Sequence, residues 1–225
     1  MAVKKNDFIE IEYTGRLKEN NAVFDTTNEK VAKDNDIFSE NGTYEPLIIC
    51  IGKGFLLKGL EDKIEGKDLG KHIFELKPEE SFGKKDAKLI QLIPTKKFLE
   101  QQINPVPGLQ INIDGVLGTV KTVTGGRTIV DFNHPLSGKD VVYEVELKRF
   151  ITDLKEKINS LLKITLKVRD AEINVEGEKA TIKLKQKLPK QFDDELKKNI
   201  KEMTNAEITF TTNKEEKTST TDKKI

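Results

Sequence analysis

Tyr13 and Phe24 lie on two strand-like stretches of the segment IEYTGRLKENNAVFDT, and Asp25 directly follows the second ring. The spacing sets a carboxylate against aromatic side chains. Such a carboxylate needs a hydrogen-bond partner, because an unpaired charge held away from water is costly. Other chemistries are thinly supplied. His72 and His134 are the only histidines and lie far apart, and Cys50 is the only cysteine. Neither residue type has the spacing of a zinc site, and one cysteine excludes an intramolecular disulfide. Gly52-Lys53-Gly54 lacks the GxxxxGK[ST] pattern and reads as a turn, not a phosphate cradle. His72 reads as a strand surface residue and Cys50 as a small core residue. No metal and no cofactor are expected.

The elements that must carry these side chains follow from hydrophobic period. Residues 8–13, FIEIEY, alternate with Ile9, Ile11 and Tyr13 on one face, which predicts a half-buried strand continuing to Leu17. Lys18 to Asn21 is turn chemistry, and Val23-Phe24-Asp25 returns as a second strand. Residues 26–41 are polar and read as a mobile loop with room for one helical turn. Residues 46–52, PLIICIG, predict a buried strand. Residues 55–64 predict a short helix with Leu56, Leu60 and Ile64 at i, i+4 and i+8, closed by Gly66. Residues 71–76 alternate as another strand, and Ser81-Phe82-Gly83 sits in the loop beyond Pro78.

From about Asp86 the character changes. Leu89 to Pro94 is a strand candidate and Thr95 to Gln102 a short helix. Leu109, Ile111 and Ile113 alternate up to Asp114-Gly115, a hairpin signal. Residues 119–124 and 128–130 form a second hairpin around Gly125-Gly126. Val141, Tyr143, Val145 and Leu147 then alternate as a core strand. Asp153 with Glu156 three residues on marks a helix start, and its stripe is Leu154, Ile158, Leu161 and Leu162. Two strands around Glu176-Gly177-Glu178, a helix with Phe192, Leu196, Ile200 and Met203 on one face, and a short strand at 208–210 complete the chain. Residues 213–225 are polar, low in complexity and expected to be disordered.

Composition sets outer bounds. The chain has 225 residues, 36% hydrophobic and 34% charged, with a net charge of +1. That balance predicts a solvated surface laced with ion pairs and makes no case for nucleic acid, which requires a basic footprint. No apolar run approaches about 18 residues, so no membrane span is expected. The N-terminus lacks the apolar stretch of a signal peptide, and a cytoplasmic location is expected.

Four segments together carry a resemblance: Tyr13-Thr14-Gly15; Phe24-Asp25; Ile51-Gly52 with Leu56-Leu57-Lys58-Gly59-Leu60-Glu61; and Ser81-Phe82-Gly83. In order and spacing they resemble the FKBP-type peptidyl-prolyl cis/trans isomerases across residues 1–85, and the family strand resumes at residues 141–147. Residues 133–139, NHPLSGK, resemble the return segment of the SlyD-like group, in which a chaperone domain is inserted in the flap. The remainder resembles the longer archaeal members. The implied fold is α+β: an antiparallel sheet wrapped on a short helix, a small β-rich insert in the flap and a C-terminal α/β module. The implied domains are 1–85 with 133–152 (isomerase), 86–132 (insert-in-flap), and 153–212 (C-terminal). The His- and Cys-rich tail of bacterial SlyD-like proteins is absent, so no nickel role is implied. The family's pocket-floor Trp falls at Leu60, which weakens the case for tight macrolide binding.

The resemblance implies catalytic roles for Tyr13, Phe24, Asp25, Phe82 and Tyr143, and substrate binding by Leu47, Leu56, Leu57, Leu60 and Leu136. Leu57 would also offer its backbone N–H to a substrate carbonyl. Asp25 either assists at the strained amide or orders its loop through Tyr13 or Arg16, and Leu47 and Leu57 also suit plain core packing. The implied partners are proline-containing unfolded or nascent polypeptides, with no nucleic acid and no membrane. In the insert, Val106, Leu109, Ile111, Ile113, Leu117 and Val120 are either client-binding or, for most of them, core. The apolar helix faces of the C-terminal module leave a homodimer open. The competing expectation is a peptide-binding chaperone with weak or no isomerase turnover.

Overall fold

The computed structural model describes residues 1–168 and 171–212. The tail expected to be disordered, residues 213–225, lies outside them. In chain order the elements are β1 (Phe8–Leu17), β2 (Val23–Thr26), α1 (Glu29–Asp34), β3 (Leu47–Cys50), α2 (Lys58–Ile64) and β4 (Gly70–Leu76). There follow β5 (Ile90–Pro94), α3 (Thr95–Glu100), β6 (Gln110–Ile113), β7 (Val116–Thr124), β8 (Arg127–Asp131) and β9 (Val141–Phe150). The last elements are α4 (Leu154–Leu166), β10 (Glu172–Glu176), β11 (Lys179–Leu184), α5 (Lys190–Thr204) and β12 (Glu207–Thr212). The expected α+β class is what the chain adopts. It divides into two compact units, one of Met1–Arg16, Val23–Phe74 and Tyr143–Ile225, the other of Leu17–Ala22 and Glu75–Val142.

In the first unit the strand order is β2-β1-β9-β4, with β3 also paired to β1. β1 runs antiparallel to β2 and β3: Gly15 faces Asp25 on β2, and Phe8 to Ile11 face Cys50 to Leu47 on β3. The period-2 pattern survives as burial. Ile9 and Ile11 on β1, and Tyr143, Val145 and Leu147 on β9, are all buried. The short helix α2 buries Leu60, Glu61 and Ile64. It begins at Lys58, three residues later than the apolar spacing predicts. The reason is local: the amides of Gly52, Gly54 and Leu56 donate to the Glu61 carboxylate at 3.1, 3.2 and 3.1 Å. A side chain, not helical carbonyls, satisfies them, so the backbone ahead of Leu57 stays non-helical. The polar stretch after β2 holds α1, capped by the Asn28 side chain, which accepts from the Val31 amide, and anchored by buried Ala32.

The C-terminal elements also belong to the first unit. Asp153 caps α4 by accepting from the Glu156 amide at 2.8 Å, as the sequence predicts. β10 pairs antiparallel with β11, and β12 returns through α5 to pair with β11 in parallel. One buried cluster joins Ile158, Leu161 and Leu162 of α4, Ile182 of β11 and Leu196 and Ile200 of α5 to Phe8 of β1 and Cys50 of β3. Arg149 donates to Glu10 and Glu156, at 2.7 and 2.6 Å, tying β9 to β1 and to α4.

The second unit contains a four-stranded antiparallel sheet in the order β5-β8-β7-β6. Asp114 and Gly115 have φ of 52° and 84°, and Gly125 and Gly126 have 54° and 71°. Both central residues of each turn therefore have positive φ, whose twist matches that of the flanking strands. The core of this sheet is Phe98, Ile111, Val120 and Val130, with Leu109 and Ile113 packed against it. Four of the six apolar residues singled out in the sequence thus serve this core. Val106 and Leu117 stay at least half exposed, as do Leu92, Leu99 and Val116.

Candidate active site

The β1–β2 register builds a cluster of rings around one carboxylate. The Tyr13 amide donates to Thr27 Oγ1 at 2.9 Å and the Thr27 amide to the Tyr13 carbonyl at 3.0 Å, which fixes where the Tyr13 side chain leaves the strand. Its hydroxyl then donates to Asp25 Oδ2 at 3.1 Å. Tyr143, buried on β9, stands 5.8 Å from the Tyr13 ring at a tilt of 59°, and 5.7 Å from the Phe24 ring edge-on at 85°. Both are favourable aromatic geometries. Four of the five residues expected to act catalytically are therefore brought together. Arg16, the other partner considered for Asp25, turns instead to Glu144, with Nε 3.3 Å from Oε1.

Gly15 makes the close approach possible. A Cβ at that position would lie 2.8 Å from Phe24 Cζ and 3.0 Å from Tyr143 Cε1. The sequence motif includes this glycine, but its reason is visible only once the two rings are seen to converge on it.

Asp25 keeps an exposed edge while the rings beside it take away part of its water. Loss of hydration pushes the Asp25 carboxyl above its ordinary value, and the hydrogen bonds from Tyr13 and the Thr26 amide partly pull it back. Burial, then the nearby Asp25 charge, pushes the Tyr13 and Tyr143 hydroxyls well above the usual phenol range. Both phenols therefore stay protonated at physiological pH and can only donate or accept hydrogen bonds there.

Leu56 and Leu57 are half-buried at the entry to α2, and Leu60 is fully buried one turn in. The Glu61 carboxylate, itself buried, holds the loop that presents the first two. Among the described residues no group accepts from the Leu57 N–H, while its carbonyl takes the amides of Leu60 and Glu61. Glu61 was legible only as part of a motif, because nothing in its spacing announces three amide contacts. Leu47 lines a cleft of about 520 Å³ with Pro46, Ile48 and residues of α4, including Asn159 and Lys163. Tyr13 borders a separate depression of about 270 Å³ with Thr27, Val31 and Ile73, which none of the other expected site residues lines.

Phe82 and Leu136 belong to the second unit. The Phe82 ring lies flat on the His134 imidazole, 4.8 Å between centroids and 2° between planes. The Ser137 hydroxyl donates to the Phe82 carbonyl at 3.0 Å, the Gly138 amide to the Gly83 carbonyl at 2.8 Å, and the Leu136 amide to His134 Nδ1 at 3.2 Å. Asn133 bonds the Asp86 main chain through both ends of its side chain, at 2.8 and 3.0 Å. Among the described residues no cluster of three or more His, Cys, Asp or Glu could hold a metal ion, and no helix is long and apolar enough to cross a membrane.

Comparison with known proteins gives this geometry a context. A family model described as the FKBP26 IF domain matches residues 91–136, overlapping the expected insert. The chain is 32% identical over 147 residues to the short-type peptidyl-prolyl cis-trans isomerase of Methanocaldococcus jannaschii, covering 65% of this chain and 92% of that protein. It is 32% identical over 108 residues to a probable FKBP-type 16 kDa isomerase of Pseudomonas fluorescens, covering 45% of this chain and 71% of that protein. It is 30% identical over 116 residues to the isomerase SlyD of Aeromonas hydrophila, covering 46% and 50%. A chain with this ring cluster and these relatives belongs to the family of FKBP-type peptidyl-prolyl cis/trans isomerases.

Proposed function

We propose that this isomerase rotates X–Pro bonds in an apolar setting supplied by Tyr13, Phe24, Tyr143 and the leucines at the entry to α2, and holds unfolded chains on its β-rich insert. The observation that carries the first part is the packing of Tyr143 against both Tyr13 and Phe24, with Phe24 and Tyr143 meeting over Gly15 and Asp25 bonded to Tyr13. Rotation about an amide must cross about 18–20 kcal/mol because it breaks resonance. The planar amide carries more charge separation than the twisted one. A water-poor apolar wall therefore disfavours the planar state relative to the twisted one, and that difference in binding is what accelerates the reaction. No proton transfer is needed. Leu47, Leu56 and Leu57 bind the substrate, with Leu60, fully buried, behind them as core and not as the substrate-binding residue the resemblance implied, and the N–H of Leu57 suits a substrate carbonyl. Asp25 orients the Tyr13 hydroxyl and faces the strained amide as a charge, not as a general acid. Phe82 and Leu136 take their catalytic and binding roles from the family resemblance.

A single prolyl site grips an unfolded chain weakly. A tethered apolar surface raises the local concentration of that chain. Leu92, Leu99, Val106, Val116 and Leu117, each at least half exposed on one small sheet and its loops, suit that task. The clients are then proline-containing unfolded or nascent polypeptides in the cytoplasm, and a net charge of +1 gives no footing to nucleic acid. Self-association through the C-terminal module is part of this reading, supported by the position of β10 and β12 as the two edge strands of their sheet. Sizing in solution with and without residues 153–225 tests it.

The exposed insert also favours the second reading, a chaperone with little turnover. A peptide-isomerisation assay on the wild-type chain and Phe82→Ala separates the two. A wild-type rate no higher than the uncatalysed one leaves the chaperone reading standing. Removal of residues 87–131 is expected to spare short-peptide isomerisation and to slow refolding of a proline-limited protein. Equal loss in both assays counts against a holding role for the insert.

A further inference from the structure

We propose that His134 is a positioning residue for isomerisation: its imidazole sets the ring of Phe82 and the main chain of Leu136 together. The inference rests on the reading above, in which Phe82 and Leu136 act on the substrate. Three observations support it. The two rings are parallel within 2° at 4.8 Å between centroids, an offset stack. The Leu136 amide donates to His134 Nδ1 at 3.2 Å, which requires the neutral imidazole with its proton on Nε2 and fixes the plane of the ring. The intervening residue is Pro135, whose ring locks φ and stiffens the two-residue span between imidazole and amide.

The neighbouring main-chain bonds act on a different degree of freedom. Ser137 Oγ to the Phe82 carbonyl, and the Gly138 amide to the Gly83 carbonyl, hold the backbone of residues 82–83. They act on the main chain of residues 82–83 and not on the Phe82 side chain. The imidazole face, held by the Leu136 amide, favours one orientation of the phenyl ring. One exposed side chain thus helps to preorganise both residues, and an aromatic wall that is already oriented loses less freedom when proline arrives.

The test is a set of variants in the full chain, each checked for its fold by circular dichroism and melting. His134→Ala is expected to lower kcat/KM on a proline peptide by about threefold to tenfold, the range of an aromatic stack. His134→Phe keeps a ring against Phe82 but loses the acceptor for the Leu136 amide, and is expected to fall between alanine and wild type. His134→Asn keeps a short acceptor but no ring, and is expected to fall with alanine. In a Phe82→Ala background, His134→Ala is expected to cost nothing further, which a merely structural role would not produce. The inference is overturned if His134→Ala is silent while Phe82→Ala is harmful, if His134→Phe is as slow as alanine, or if the loss persists undiminished without Phe82. A silent Phe82→Ala on an active wild type instead removes the underlying role of Phe82, and the inference with it.

Discussion

The Tyr13 hydroxyl donates to Asp25 Oδ2 across 3.1 Å, so a side chain of β1 holds the carboxylate that β2 presents. The bond is one of the influences that lower the Asp25 pKa, set against the loss of hydration that raises it. Tyr13→Phe deletes a lowering influence, so the carboxyl rises further. The acid limb of kcat/KM against pH is expected to move to higher pH in Tyr13→Phe and to disappear in Asp25→Asn. Asp25→Ala is expected to lose far less than the roughly 10⁴-fold of a catalytic-triad residue. A loss of that size means that Asp25 moves a proton.

The same shift has a sign for stability. A carboxyl whose folded pKa lies above its unfolded one opposes folding while ionised. The penalty is complete above the folded value and gone below the unfolded value near 3.9. Asp25→Asn is therefore expected to melt above wild type at pH 7, with the difference closing as pH falls through the raised folded value. Thermal melts at pH 7 and pH 4 read it directly, and a difference that widens on acidification contradicts the assignment.

Gly15→Ala places a methyl 2.8 Å from Phe24 Cζ. The aromatic rings of a packed cluster cannot yield without shifting their neighbours, and such overpacking costs about 1–3 kcal/mol. Urea unfolding is expected to show that loss, and the peptide assay a matching fall in kcat/KM.

Glu61→Gln keeps the shape of the side chain but replaces one acceptor oxygen by an N–H donor. Three amides now share a single oxygen, and a hydrogen bond to a charged group contributes about 1.5–3 kcal/mol. Because those amides hold the loop carrying Leu56 and Leu57, KM is expected to rise more than kcat falls. Unchanged kinetics alongside reduced stability would limit Glu61 to a structural role.

Cys50 is fully enclosed, and burial pushes its thiol up to about 11. A raised thiol holds little thiolate at pH 8, and the thiolate is the reactive form. Labelling by a thiol reagent is therefore expected to follow unfolding. Ile158→Ala, which opens the cluster shared by Cys50 and α4, is expected to speed it.

Strand alternation was legible wherever one face is buried and the other wet, as at Ile9 and Ile11, or Tyr143, Val145 and Leu147, because the side-chain period of a strand is a local property. The hairpin at Asp114-Gly115 and the Asp153 cap were legible for the same reason: each rests on residues within a few positions. The start of α2 was not. Its apolar spacing extends to Phe55, and only the reach of Glu61 back to Gly52, Gly54 and Leu56 cancels it. Nor did the insert's pattern separate Ile111, which is core, from Leu117, which is exposed, since both are simply apolar.

By itself the sequence determined the elements, their order and the family likeness, because hydrophobic period, turn chemistry and motif spacing are written in near neighbours. The tertiary structure alone decided that Tyr13 and not Arg16 partners Asp25, that two rings meet over Gly15, and that His134 lies flat on Phe82. Those are contacts between residues from 9 to 128 positions apart, whose geometry depends on strand register and loop closure.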